Sequence, residues 1–264
     1  MNRLDVSSRI ASLKPYQPGK PIEEVKRELG IEGEIVKLAS NENPLGPSPA
    51  ALAALASALP SLHLYPDGAC HALRAAVCRK LGVAPEQLIF GNGSDEIIHL
   101  LGLTFLEPGD EVVTGEPTFV LYESAATLAG AKRIGIPLTS DGLRHDAAAM
   151  AAAFTERTRL VFVANPHNPT GSVVTKADVD HLLEKLPARA WLVLDEAYID
   201  YVEDDDFPRA VDYIRAGAPV IGLRTFSKLY GLAGLRVGYG VGSAEVIGRL
   251  GLARSPFNVN LAAQ

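Results

Sequence analysis

Between residues 87 and 252 short apolar runs alternate with helical stretches, and this alternation leaves few folds open. The strand-like runs are Gln87–Gly91, Glu111–Thr114, Lys132–Ile136, Leu160–Ala164, Trp191–Asp195, Val220–Leu223 and Arg236–Gly240. Between and around them, Ser94–Leu106, Thr118–Ala129, His145–Phe154, Lys176–Leu186, Phe207–Ala216 and Ala244–Leu252 carry helical patterning. Ala50–Leu59 and Cys70–Leu81 are helical stretches further upstream. Strands this short and this continuously apolar are buried on both faces, which indicates an α/β fold with a mostly parallel sheet wrapped by helices. Pro219 falls at a strand entry, where a missing N–H is tolerated. In such sheets ligands bind outside the carboxyl ends of the strands, so the side chains there are the ones to question.

The first forty residues read differently. Lys14-Pro15-Tyr16-Gln17-Pro18-Gly19-Lys20-Pro21 cannot lie inside a helix, because its three prolines remove donors and fix φ. It reads as an extended arm that docks on something, followed by a short polar helix, Ile22–Leu29, ending on Gly30. The expected organisation is an arm with the start of a small domain over 1–40, then a large domain over 41–264.

Bulk properties narrow the function classes. The 264 residues are 47% hydrophobic and 21% charged, a globular rather than disordered balance. A formal net charge of −6 lacks the basic face of a nucleic-acid scaffold. No apolar run approaches bilayer length, and no signal-like core follows Met1. Cys70 and Cys78 sit in one expected helix, too far apart to bridge, so reduced thiols in a cytoplasmic protein are the simplest reading.

Four segments at strand ends carry chemistry. Gly91-Asn92-Gly93-Ser94-Asp95-Glu96 turns from a strand into a helix, where free N–H groups attract an anion such as phosphate. Read alone, it is better explained as ordinary capping, with Ser94 as N-cap and Asp95 and Glu96 complementing the helix dipole. In Asn165-Pro166-His167-Asn168-Pro169-Thr170-Gly171, Asn168 either donates to a ligand oxygen or closes an Asx-turn. His167 has no second histidine at ligand spacing, so no metal site is expected. Asp195 ends an apolar strand, where a buried carboxylate needs a cation, a hydrogen-bond donor or a capping role. A protonated pyridine nitrogen is one such cation. Arg224-Thr225-Phe226-Ser227-Lys228, with Arg236 downstream, is dense in hydroxyls and basic heads. A lysine crowded by Arg224 and Arg236 offers more free amine, as Schiff-base chemistry requires, and Thr225, Ser227 and Arg236 are placed to hold a phosphate.

In this order and spacing the four segments resemble the fold-type I PLP-dependent aminotransferases. The finer segments are similar to the histidinol-phosphate aminotransferase family: Pro15–Lys20, Leu38–Gly46, Tyr65-Pro66-Asp67, Pro117-Thr118-Phe119 with Tyr122, and Ser255–Asn260. The resemblance implies that Lys228 carries pyridoxal 5′-phosphate as a Schiff base and shuttles the substrate Cα proton. It implies that Asp195 pairs with the pyridine nitrogen, that Asn168 and Tyr198 bond the 3′-oxygen, and that Phe119 stacks on the ring. Ser94, Asp95, Thr225, Ser227 and Arg236 would hold the phosphate. Tyr65 would reach the phosphate of a neighbouring subunit, hence a homodimer with shared sites, and Tyr16 and Asn43 would line the substrate pocket. The implied reaction is transamination of L-histidinol phosphate with 2-oxoglutarate in histidine biosynthesis. Aromatic amino-acid transamination and threonine-phosphate decarboxylation share these motifs. Relatives carry a further C-terminal small domain with a substrate-binding arginine, so a PLP-binding fragment without turnover is the expectation from another class.

Overall fold

The apolar runs pair edge to edge into one seven-stranded sheet. The computed structural model describes residues 6–13, 19–38 and 40–264. The strands are β1 (Leu88–Gly91), β2 (Glu111–Glu116), β3 (Lys132–Pro137), β4 (Thr158–Ala164), β5 (Trp191–Asp195), β6 (Val220–Thr225) and β7 (Gly238–Val241), in the spatial order β1-β7-β6-β5-β4-β2-β3. Neighbours pair parallel from β3 through β6, whereas β7 is antiparallel to both β6 and β1. The expected α/β class with a mostly parallel sheet is therefore present.

Period-two alternation sorts the strand residues between two cores. In β4, Leu160 and Phe162 point to one face and Val161 and Val163 to the other. Helices α5 (Gly93–Phe105), α6 (Leu121–Ala129) and α10 (Ala244–Ala253) cover the first face through Ile97, Tyr122 and Leu250. Helices α4 (His71–Leu81), α7 (Ala147–Ala152), α8 (Lys176–Lys185) and α9 (Ala210–Arg215) cover the second through Leu81, Met150, Leu182 and Ile214. Each such side chain contributes on the order of 1.5–3 kcal/mol by leaving water, which makes this three-layer arrangement the energetic centre of the chain.

Outside these layers lie α1 (Ser8–Ala11), α2 (Ile22–Leu29) and α3 (Pro49–Ala58), none of which buries a side chain. Helix α2 ends on Gly30 at φ 65°, as its sequence predicts. No helix among the described residues is long and apolar enough to cross a membrane.

Several element ends differ from the periodicity, each for a local reason. The Asp146 side chain accepts from the Ala149 N–H and starts α7 there, which leaves His145 outside the helix. Cys70 is not the first residue of α4 but its N-cap, at φ 51°; it and Cys78 are both free thiols. Arg236 sits at φ 52° in the left-handed region, so it cannot belong to an extended strand, and β7 starts two residues later. That turn sends the Arg236 guanidinium back to Asp95 on α5.

Candidate functional site

Because β1 to β6 share one direction, their carboxyl ends meet at one edge of the sheet with the start of β7. A cleft of about 320 Å³ opens there, a volume in the usual range for a small-ligand site. Ser94, Asp95, Phe119, Asn168, Asp195, Tyr198, Thr225, Ser227, Lys228 and Arg236 all line it, so parallel topology brings residues from five distant segments together.

Asp195 closes β5 and is only 5% exposed. Its Oδ2 accepts from the Tyr122 hydroxyl at 2.7 Å, and its Oδ1 from the Ala197 N–H at 3.2 Å. Burial pushes the carboxyl up to about 6 despite both donors. Neither a helix-capping role nor an arginine accounts for it. The nearest buried arginine, Arg224, is bound instead by Glu196 at 2.7 Å. A cation arriving in the cleft would relieve Asp195, which is what a protonated ring nitrogen supplies.

Lys228 follows β6 and donates from Nζ to the Asn41 carbonyl at 3.2 Å, with its ammonium 5.4 Å from the Tyr198 ring centre. The expected crowding of Lys228 by two free guanidinium groups is corrected by the structure. Arg224 is neutralised by Glu196, and Arg236 pairs with Asp95 at 3.1 Å. The Tyr198 hydroxyl accepts from Asn41 Nδ2 at 2.8 Å, which holds the phenol at the mouth of the cleft.

The glycine turn is more than a cap. Helix α5 begins at Gly93 with Asn92 as N-cap, so Ser94 is not the capping residue. The Asn92 N–H donates to the Glu96 carboxylate at 2.6 Å and the Gly93 N–H to the Arg236 carbonyl at 3.1 Å, while Ser94 and Asp95 at the head of the helix line the cleft. Gly93 is at φ 76°, and a Cβ there would lie 2.7 Å from Arg236 Nη2. Thr225 Oγ1 donates to Ser227 Oγ at 3.0 Å, and Arg236 Nη1 lies 3.5 Å from the same hydroxyl. Helix amides, two hydroxyls and a guanidinium thus converge as an anion cradle.

Other expectations meet the structure less directly. Tyr65 is 82% exposed, stacks on Phe257 at 4.9 Å and stands away from its own chain's cleft. Asn43 uses its amide to hold the loop, donating to the Leu229 carbonyl at 2.7 Å and accepting from the Leu45 N–H at 2.9 Å. It does not line the cleft. Tyr16 lies outside the described residues.

His167 lacks a second histidine at ligand spacing along the chain, but not in space. His145 packs edge-on against it, with ring centres 4.4 Å apart, in space that a methyl on Gly115 would fill. No group of three metal-ligating side chains gathers among the described residues. Burial pushes the His145 imidazole down to about 3, and the same cause lowers His167. Each folded value lies below the ordinary 6.5, so their stability contribution is complete above that pH and is lost as pH falls below it. Asp195, raised to about 6, acts in the opposite sense. The expected result is a Tm that falls more steeply below pH 6.5 in the wild type than in His145→Gln, measured by thermal melts from pH 7.5 to 4.5. Parallel curves would show that the pair carries no such linkage.

Tyr122 and Asn41 have no assigned role at sequence level, although both lie in motifs noted there. Phe119 precedes α6 and meets Tyr122 through a turn, the Tyr122 N–H donating to the Phe119 carbonyl at 3.3 Å, so both side chains reach the cleft.

Comparison with known proteins agrees with this geometry. A profile of the family described as aminotransferase class I and II matches residues 33–264. The chain is 57% identical over 256 residues to a histidinol-phosphate aminotransferase of Moorella thermoacetica, covering 97% of this chain and 66% of that one. It is 48% identical to that of an Anaeromyxobacter species, covering 98% of this chain and 71% of the other. The chain thus spans about two thirds of the length of these curated relatives. Among solved structures, the histidinol-phosphate aminotransferase of Sinorhizobium meliloti in complex with pyridoxal-5′-phosphate superposes with a TM-score of 0.85 at 30% identity, covering 100% of this chain and 69% of that one. Strand order, cleft residues and sequence all lead to one assignment: the chain belongs to the class I and II aminotransferase family.

Proposed function

We propose that this chain binds pyridoxal 5′-phosphate in the cleft and serves the transamination of L-histidinol phosphate with 2-oxoglutarate, a step of histidine biosynthesis. The observation that carries the cofactor reading is Asp195, a buried carboxylate lining the cleft with two donors and no cation of its own. The relatives' names supply the substrate.

The cofactor supplies an electron-accepting ring that stabilises negative charge at a substrate Cα. The chain's own residues do the rest. Asp195 holds a proton on the ring nitrogen by staying anionic beside it. Asn168 and Tyr198 would hold the 3′-oxygen, and Phe119 would offer its ring to the cofactor. The head of α5 at Ser94 and Asp95, with Thr225, Ser227 and Arg236, binds the phosphate. Lys228 supplies the amine and takes the Cα proton as general base.

The same reading divides the chain at residue 40 into an arm with the start of a small domain and a large cofactor-binding domain. It places the chain in the cytoplasm as a homodimer. The support for the dimer is an apolar surface on the single chain: α3 buries no side chain, and Leu45 and Tyr65 are 91% and 82% exposed. Large apolar side chains left this exposed support a contact with a second copy. Tyr65 would then complete the phosphate site of the partner, with Tyr16 and Asn43 near the substrate.

Loading purified protein with pyridoxal 5′-phosphate and adding L-histidinol phosphate tests the assignment. The expected result is loss of the yellow absorbance in a half-reaction, restored by 2-oxoglutarate, from a species of twice the chain mass. A stronger response to phenylalanine would move the assignment to aromatic amino acids. Release of carbon dioxide from threonine phosphate would move it to decarboxylation. A yellow protein inert to every donor would leave a binding fragment.

A further inference from the structure

Tyr122 lies in the first turn of α6, is fully buried, and joins two walls of the cleft. Its ring stacks on Phe162, with centres 4.4 Å apart and planes 11° off parallel. The same ring meets Phe119 edge-on at 5.7 Å. Its hydroxyl ends on Asp195 Oδ2 at 2.7 Å. The phenol is the donor in this hydrogen bond, because burial keeps it neutral and the ionised carboxylate can only accept.

We infer that Tyr122 is a positioning residue that holds Asp195 in place and keeps it ionised for the cationic ring of the cofactor, while setting the packing of Phe119. This rests on the cofactor reading above. A hydrogen bond to a charged acceptor is about twice as strong as a neutral one, so this donor favours the carboxylate over the acid. Burial acts the other way, and Tyr122 is the largest influence opposing it. No other ionisable side chain among the described residues hydrogen-bonds the Asp195 carboxylate. Asp95 pairs with Arg236, Glu196 pairs with Arg224, and Tyr198 and Lys228 are bonded to Asn41. Without the Tyr122 hydroxyl only the Ala197 N–H would remain on the carboxylate. A protonated Asp195 cannot pair with a cation.

Tyr122→Phe removes one oxygen and keeps the ring against Phe162 and Phe119. In protein without cofactor, the Asp195 carboxyl titration, followed by infrared or carbon NMR, is expected to move up from about 6 by roughly one pH unit. Affinity for pyridoxal 5′-phosphate is then expected to fall about threefold at pH 6.5 and toward about tenfold below pH 5, with the loss vanishing toward pH 8.5 as Asp195 ionises in both proteins. A purely structural defect would give a loss that does not change with pH.

Site-specific 3-fluorotyrosine at 122, a stronger donor of nearly the same shape, should move the titration down and covers the case in which the phenylalanine variant folds poorly. An Asp195 titration unchanged in either variant overturns the inference, as does a pH-independent loss of affinity. Wild-type protein that binds no pyridoxal 5′-phosphate at any pH sinks the cofactor reading instead. The titration without cofactor still decides whether Tyr122 sets the charge of Asp195.

Discussion

Lys228→Ala protein is expected to stay colourless with excess pyridoxal 5′-phosphate and to retain no label after borohydride reduction, whereas wild-type protein keeps one label on Lys228. The reason is chemical rather than structural. Lys228 is the one lysine that lines the cleft among the described residues. Its removal deletes both the amine that bonds the carbonyl and the base that takes the Cα proton. Proton transfer by a positioned side chain is worth about 10²–10⁴-fold by itself, so any measurable turnover should fall by at least that much. The fold should be unaffected, because Lys228 donates only to the Asn41 carbonyl at the cleft. Lys228→Arg tests this separation: it keeps a cation near Tyr198 but offers no free amine, and it should be equally colourless. A borohydride-stable label that survives either substitution would place the bond on another residue and overturn the assignment.

Glu196→Ala is expected to have the largest effect on stability, costing about 3–5 kcal/mol. Glu196 is 1% exposed and Arg224 is 6% exposed, and they meet at 2.7 Å. The second Glu196 oxygen accepts from the Ala210 N–H at 2.6 Å and so anchors the start of α9. Alanine leaves a buried guanidinium with no counter-charge and an unmatched N–H, against a total stability that is typically only about 5–15 kcal/mol. The pair also joins the end of β5 to β6, immediately beside Asp195 and Thr225, so its loss should loosen the cleft before the core. Urea unfolding of Glu196→Ala and of Glu196→Leu/Arg224→Met measures this. The double variant should recover most of the loss, because two matched apolar side chains remove the stranded charge. A single substitution that costs under about 1 kcal/mol, in the range of an exposed ion pair, would show that the pair is solvated in solution.

The order of strands and helices was legible from the chain because it depends on local patterning. Continuous apolar runs such as Leu192-Val193-Leu194 have one stable placement, inside a sheet covered on both faces. The placement of Asp195, Asn168 and Lys228 at one edge then followed from parallel topology, and the match of motifs to a family named the chemistry. Element ends were less legible, since single contacts set them: the Asp146 cap moved the start of α7, and the left-handed Arg236 moved the start of β7.

Sequence by itself determined the fold class, the strand-end segments that supply most of the cleft and the family, because hydrophobic periodicity and residue order act along the chain. Only the tertiary structure decided which charges meet. It gave Arg224 to Glu196 and Arg236 to Asp95, removing the expected cationic crowding of Lys228. It also brought Tyr122 to Asp195 across 73 residues of chain, and His145 to His167 from separate segments. Ion pairing and burial depend on distance through space, which spacing in the sequence does not encode, so the ionisation of the cleft became readable only when the sheet closed around it.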